Sequence, residues 1–124
     1  MKVGDSASLT RRYTPDDIAA FATLAGVPPA TITHVPEPLI AALFSYLLGV
    51  ELPGSGTNYL KQELNFAGGP RLDEAVTATV AVTRLRPDKH LCDLSTTLTG
   101  TDGRVLATGR ALVLVKDVAR SMET

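Results

Sequence analysis

The chain has 124 residues, 44% hydrophobic and 20% charged, with a formal net charge of -1. That length fits one domain able to bury about two-thirds of its unfolded surface, and the near-neutral charge supplies no basic patch of the kind that nucleic acid selects. The opening MKVGDSASLTRRY lacks the apolar run of a signal peptide, and the longest apolar stretch, Leu39 to Val50, is too short for a membrane span and is interrupted by Ser45 and Tyr46, so a cytoplasmic protein with no membrane partner is expected.

There is no internal repeat and no low-complexity segment. Ser6 to Tyr13 reads as a first strand. Thr14-Pro15-Asp16-Asp17 then opens a helix: threonine caps free amides, proline suits the first helical position, and the carboxylates oppose the helix dipole. Asp16 and Asp17 could instead form a paired-carboxylate site, but capping accounts for them. Ile18, Phe21, Ala22 and Ala25 recur at helical spacing, and Gly26 followed by Pro28-Pro29 stops the helix.

A second helix is expected from Pro36-Glu37-Pro38 to Gly49. Its sequence LIAALFSYLLG is apolar nearly all round, which predicts burial on every side. The remainder is strand-like. Asn58 to Phe66 alternates, placing Leu60, Gln62, Leu64 and Phe66 on one face, and Ala75 to Leu85 alternates with Val76, Ala78, Val80 and Val82 on one face. Arg86 to Lys89 is a turn, Leu91 to Thr99 a strand, Thr101-Asp102-Gly103 a hairpin signal and Arg104 to Lys116 a last strand. Cys92 shares a face with Leu94 and Leu98 and reads as a small core residue. As the single cysteine it excludes an internal disulfide and a cysteine-based metal cluster. Residues 1–117 form the domain, and residues 118–124 a polar, frayed tail.

One sheet of about five antiparallel strands covers an apolar helix only by curling around it. The expected class is therefore α+β with a hotdog arrangement. Its open edges favour a dimer, with itself or with a hotdog relative.

Three stretches, VGDSASLTRRYTPDDIAAFATLAG, LIAALFSYLLGVELPGSGTNYLKQELNF and VTATVAVTRLRPDKHLCDLSTTLTGTDGRVLATGRALVLV, resemble the MaoC-like, R-specific enoyl-CoA hydratase family. The resemblance covers most of the chain, and ELPGSGTNYL followed by Gln62 and Phe66 is its most specific part. It implies a hotdog fold and an acyl thioester, on CoA or on an acyl-carrier protein, as ligand, with no metal or cofactor. In that family an Asp-x-Asn-Pro-x-His motif after the first helix activates water for addition to a thioester-conjugated double bond. A His-Gly pair starts the central helix, whose amides bind the thioester oxygen. This chain departs there. The corresponding segment is GVPPATITHVPEPLIAAL, about a dozen residues shorter than the family pattern, with no acid between Gly26 and His34. Anchored on the buried helix, Pro36-Glu37 replaces His-Gly; anchored on the first helix, His34 falls near the catalytic histidine.

His34 and Glu37 are the catalytic candidates implied by that placement. Histidine suits proton transfer at neutral pH, and Glu37 could orient it, although a loop histidine and a plain N-terminal acid remain open readings. Leu39, Tyr46 and Gln62 are the substrate-binding candidates. Tyr46 could equally be a core tyrosine, and Gln62 could touch a ligand or satisfy a buried backbone group. Amides at Glu37 to Leu39 could hold an anionic oxygen, but Pro36 and Pro38 each remove a donor. His90 reads as a solvated turn residue, and Gly54-Ser55-Gly56 lacks the lysine and helix of a phosphate loop. Three functions stay open: a thioester hydratase or dehydratase with altered or lost activity, a non-catalytic partner subunit, and a thioesterase using Glu37.

Overall fold

The computed structural model describes residues 1–120 and residue 122. Its elements are β1 (Ser6–Arg12), α1 (Pro15–Ala25), α2 (Glu37–Tyr46), β2 (Asn58–Phe66), β3 (Ala75–Arg86), β4 (Leu91–Thr99) and β5 (Val105–Leu114). The five strands form one antiparallel sheet in the order β1-β3-β4-β5-β2. This is the expected hotdog class. No helix among the described residues is long and apolar enough to cross a membrane.

The entry to α1 is set by a reciprocal cap. The Asp17 amide donates to Thr14 Oγ1 at 3.2 Å, and the Thr14 amide donates to an Asp17 carboxylate oxygen at 2.9 Å. The Thr14 backbone bond is the main reason that the Asp17 carboxyl sits below its usual range. Asp17 is thus a capping residue, and Gly26 closes the helix in the left-handed conformation that a side chain disfavours.

The inner sheet face is the core. Val76, Ala78, Val80 and Val82 of β3, Cys92, Leu94 and Leu98 of β4, and Ala107, Ala111 and Val113 of β5 are buried beneath Ile40, Leu43, Phe44, Leu47 and Leu48. Burial pushes the Cys92 thiol up to about 12, so it stays protonated and behaves as a small apolar side chain. Gly109 is required by close approach, since a Cβ there would overlap the carbonyl of Glu63 on β2.

Two expectations are corrected. The central helix is not buried on every side: Pro38, Ala42, Ser45 and Tyr46 are exposed, because one sheet covers only one flank of α2. The chain then leaves the α-helix in a single π turn, Leu47–Glu51. The face expected to hold Leu60, Gln62, Leu64 and Phe66 is broken by a bulge between Tyr59 and Lys61, which takes Leu60 out of the alternation and leaves it 54% exposed. Of the expected tail, Val118 and Met122 pack against the core, while residues 121, 123 and 124 lie outside the described residues.

Thr96, at the middle of β4, is 1% exposed, and its hydroxyl has no hydrogen-bond partner among the described residues. An unpaired buried hydroxyl destabilises, so Thr96→Val is expected to raise stability by about 1 kcal/mol. Urea unfolding checks this; a lowered midpoint would mean that the hydroxyl is satisfied in solution.

Candidate functional site

Two segments meet at one end of the sheet. The connection from α1 to α2 passes through a short 3-10 turn, Pro29–Thr31, and then runs extended into α2. The connection from β2 to β3 passes through Gly68-Gly69-Pro70. They are joined by a backbone bridge between His34 and Arg71 and by the Val35 amide donating to the Pro70 carbonyl at 2.9 Å. Between them lies an open groove of about 530 Å³, walled by Phe21, Ile32, His34, Glu37, Phe66 and Gly69.

His34 and Glu37 are the titratable side chains in that groove, and both are exposed. They are neither hydrogen-bonded nor ion-paired to one another among the described residues. His34 Nδ1 lies 3.1 Å from Thr33 Oγ1, the one side-chain hydrogen bond of the ring among the described residues. The start of α2 offers little to an anion. Pro36 and Pro38 have no N–H, and the Leu39 amide donates to the Pro36 carbonyl at 3.0 Å. Among the described residues Glu37 alone presents an uncommitted amide there.

The other candidates lie elsewhere. Leu39 and Tyr46 line a second groove of about 530 Å³, with Leu9, Arg11, Tyr13 and Ala42, on the β1 side of α2. Tyr46 is not a core tyrosine; it is 48% exposed. The Tyr13 hydroxyl donates to the Leu39 carbonyl at 3.3 Å and fixes β1 against the helix. Gln62 lines neither groove. It pairs in register with buried Ala111, so it is on the inner side of the sheet, but on the edge strand, where it is exposed and, among the described residues, bonds to no buried backbone group. No cluster of three or more histidine, cysteine or acidic side chains among the described residues has the geometry of a metal site.

The groove residues that the sequence did not single out as site candidates are Phe21, Phe66, Thr33 and Gly69. The glycine pair before Pro70 is the signal that was available. A Cβ on Gly69 would lie 2.7 Å from His34 Cγ, so the histidine ring rests directly on that backbone.

No family model matches the chain. It is 38% identical to an (R)-specific enoyl-CoA hydratase of Aeromonas caviae, over 91% of this chain and 94% of that one. It is 37% identical to an (R)-specific enoyl-CoA hydratase of Rhodospirillum rubrum, over 93% of this chain and 88% of the relative. Among solved structures it superposes on the (R)-hydratase from A. caviae involved in PHA biosynthesis with a TM-score of 0.82, covering 91% of this chain and 96% of that chain. The unliganded R-hydratase PhaJ1 from Pseudomonas aeruginosa, 24% identical with a TM-score of 0.80, shares the fold.

Gly69→Ala is expected to displace the His34 ring while leaving the fold in place. The measurement is the His34 ring resonance by NMR beside a thermal melt. An unmoved resonance would show that the ring does not rest on Gly69.

Proposed function

This chain belongs to the (R)-specific enoyl-CoA hydratase family, as a hotdog protein of enoyl-CoA hydratase type, and from that premise we propose that it binds acyl thioesters, on CoA or on an acyl-carrier protein, with altered or lost hydratase activity. One observation carries the reading. The groove at the entry to α2 holds His34 and Glu37 as its ionisable side chains, unconnected, with no aspartate beside the histidine. Hydration needs a base to take a proton from water and an acid to deliver one to the α carbon, and each such role is typically worth ~10²–10⁴-fold. The walls remain suited to a thioester: Phe21, Ile32 and Phe66 supply apolar surface, and the groove opens to solvent for a carrier.

Whatever proton transfer survives falls to His34, with Glu37 orienting it or bearing charge. Leu39, Tyr46 and Gln62 would meet the acyl chain only if it runs past the groove along α2 or along the open β2 edge. That edge, with Leu60 and Gln62 exposed, favours a second copy or a hotdog relative as the partner that covers it. Light scattering at micromolar concentration is then expected to give twice the 13.1 kDa chain mass; a strict monomer counts against assembly with itself.

Crotonyl-CoA hydration by the purified protein is expected to be slow or absent, while native mass spectrometry with a panel of enoyl, hydroxyacyl and acyl thioesters detects a bound thioester. Turnover on the order of 10 per second would overturn the loss of hydratase activity. For any thioester that is converted, His34→Ala should lower turnover by roughly 10²-fold or more with affinity nearly intact, and Glu37→Gln by less. Full turnover in His34→Ala removes the histidine from the mechanism and favours the partner-subunit reading.

A further inference from the structure

The outer face of the sheet carries a second concave feature, unrelated to the groove at α2. Arg84 and Arg86 of β3, Asp93 of β4 and Arg110 of β5 surround a depression of about 300 Å³, with Thr83 at its rim. Register explains the convergence: Arg84 pairs with Asp93, Arg86 with Leu91, and Arg110 with Ser95, so alternate residues of three adjacent strands point outward together. A bulge between Val82 and Arg84 brings Arg84 onto that face.

The charges do not balance. Asp93 is the one acid lining the depression among the described residues; Arg86 and Arg110 share it, and Arg84 forms no ion pair with it. Arg86 Nη2 donates to one of its oxygens at 2.9 Å, while Arg110 Nη2 stands 3.9 Å from the other. A carboxylate can engage the side-on edge of a guanidinium with both oxygens, but here the Arg86 Nε–H next to the bonded Nη2 has no acceptor among the described residues. Thr83 is committed elsewhere, its hydroxyl donating to the Asp93 carbonyl at 3.2 Å. Two further acids do not line the depression: Glu63 of β2, opposite Arg110 in register, is 3.7 Å from Lys61, and Asp88 lies in the turn after Arg86 beside Lys89. Two positive charges stay in excess in a chain whose net charge is -1.

We propose that the Arg84, Arg86 and Arg110 cluster is a binding site for a phosphate dianion, free or as a terminal phosphomonoester. Guanidinium groups fanned around a concavity match the oxygens of a tetrahedral dianion, and a dianion cancels the excess charge. Arg84 and Arg110 are the exposed arms that take the ligand, and Asp93 holds Arg86 as the fixed wall. The site is on the opposite face from the groove at α2. Asp93 and Leu98, the β4 residue in line with Phe66, are five residues apart, roughly 17 Å along the strand.

The test is calorimetric titration of the full chain with inorganic phosphate, and separately with glycerol 3-phosphate, at low ionic strength. Saturable one-to-one binding is expected. The double variant Arg84→Gln/Arg110→Gln should weaken it by about tenfold or more with an unchanged melting temperature in phosphate-free buffer. Arg84→Lys should retain part of the affinity, since it keeps charge and loses the fork. Binding of both probes assigns recognition to the phosphate group; binding of inorganic phosphate alone restricts the site to the free ion. No saturable binding at millimolar phosphate, or binding that survives in the double variant, overturns the proposal.

Discussion

The strand order constrains everything else in this molecule. β1 and β2 hydrogen-bond at opposite edges of the sheet, yet they are consecutive strands, so the chain between them has to cross the inner face. The element that crosses is α2, and it must be apolar on the flank that it lays down: Ile40 and Phe44, with Leu47 of the turn that follows, are fully buried in the core with the inner-face side chains of the sheet. A second crossing follows, because β2 ends beside β5 and β3 begins beside β1. Its loop, Gly68-Gly69-Pro70, passes under the entry to α2 and is tied to it through Val35 and His34. The groove is the space between two crossings that strand order makes unavoidable.

Much of this was readable from the residues. Thr14, Pro15 and Gly26 bound α1 because capping and left-handed backbone are local requirements, and the period-two alternation of β3 and β4 survived into buried and half-buried faces almost unchanged. The misreadings share a cause, which is that local pattern does not report how far a partner element extends. LIAALFSYLLG is apolar, but a helix turns about 100° per residue, and Ala42, Ser45 and Tyr46 fall on the flank that the sheet does not reach. The serine and tyrosine were the signal for that flank. In β2 the alternation was equally clear, but a bulge re-phases a strand without any marker in composition, and the inner face of this edge strand is only partly covered, at Leu64 and Phe66.

The site divided for the same geometric reason. Glu37 and Leu39 are neighbours in sequence, yet two helical residues point roughly 200° apart, so one enters the groove with His34 and the other joins Ala42 and Tyr46 on the β1 side. Leu39, Ala42 and Tyr46 at intervals of three and four could have been grouped from spacing alone. Phe21 and Phe66 could not, because they come from α1 and β2 and meet only through the fold. Gln62 drew attention as a polar residue in an apolar row, but the row packs against the core only at Leu64 and Phe66, and Gln62 is exposed.

The prolines at the entry to α2 bear on chemistry as well as on shape. Pro36 and Pro38 start the helix abruptly, since both favour the backbone angles that precede and open a helix. The same two residues delete two of the donors that a helix start would otherwise aim at an anion, and the Leu39 amide is turned back onto the Pro36 carbonyl. A thioester oxygen at this end of α2 would find the Glu37 amide alone. Removing one donor from an oxyanion site typically costs ~10²–10³ in turnover, and the Glu37 carboxylate beside the remaining amide opposes negative charge on a bound oxygen. On the proposed reading, then, the short connection and its prolines withdraw electrophilic help at the same place where the aspartate is missing. Neither loss touches the apolar walls of Phe21, Ile32 and Phe66, which is why binding can outlast turnover in such a groove.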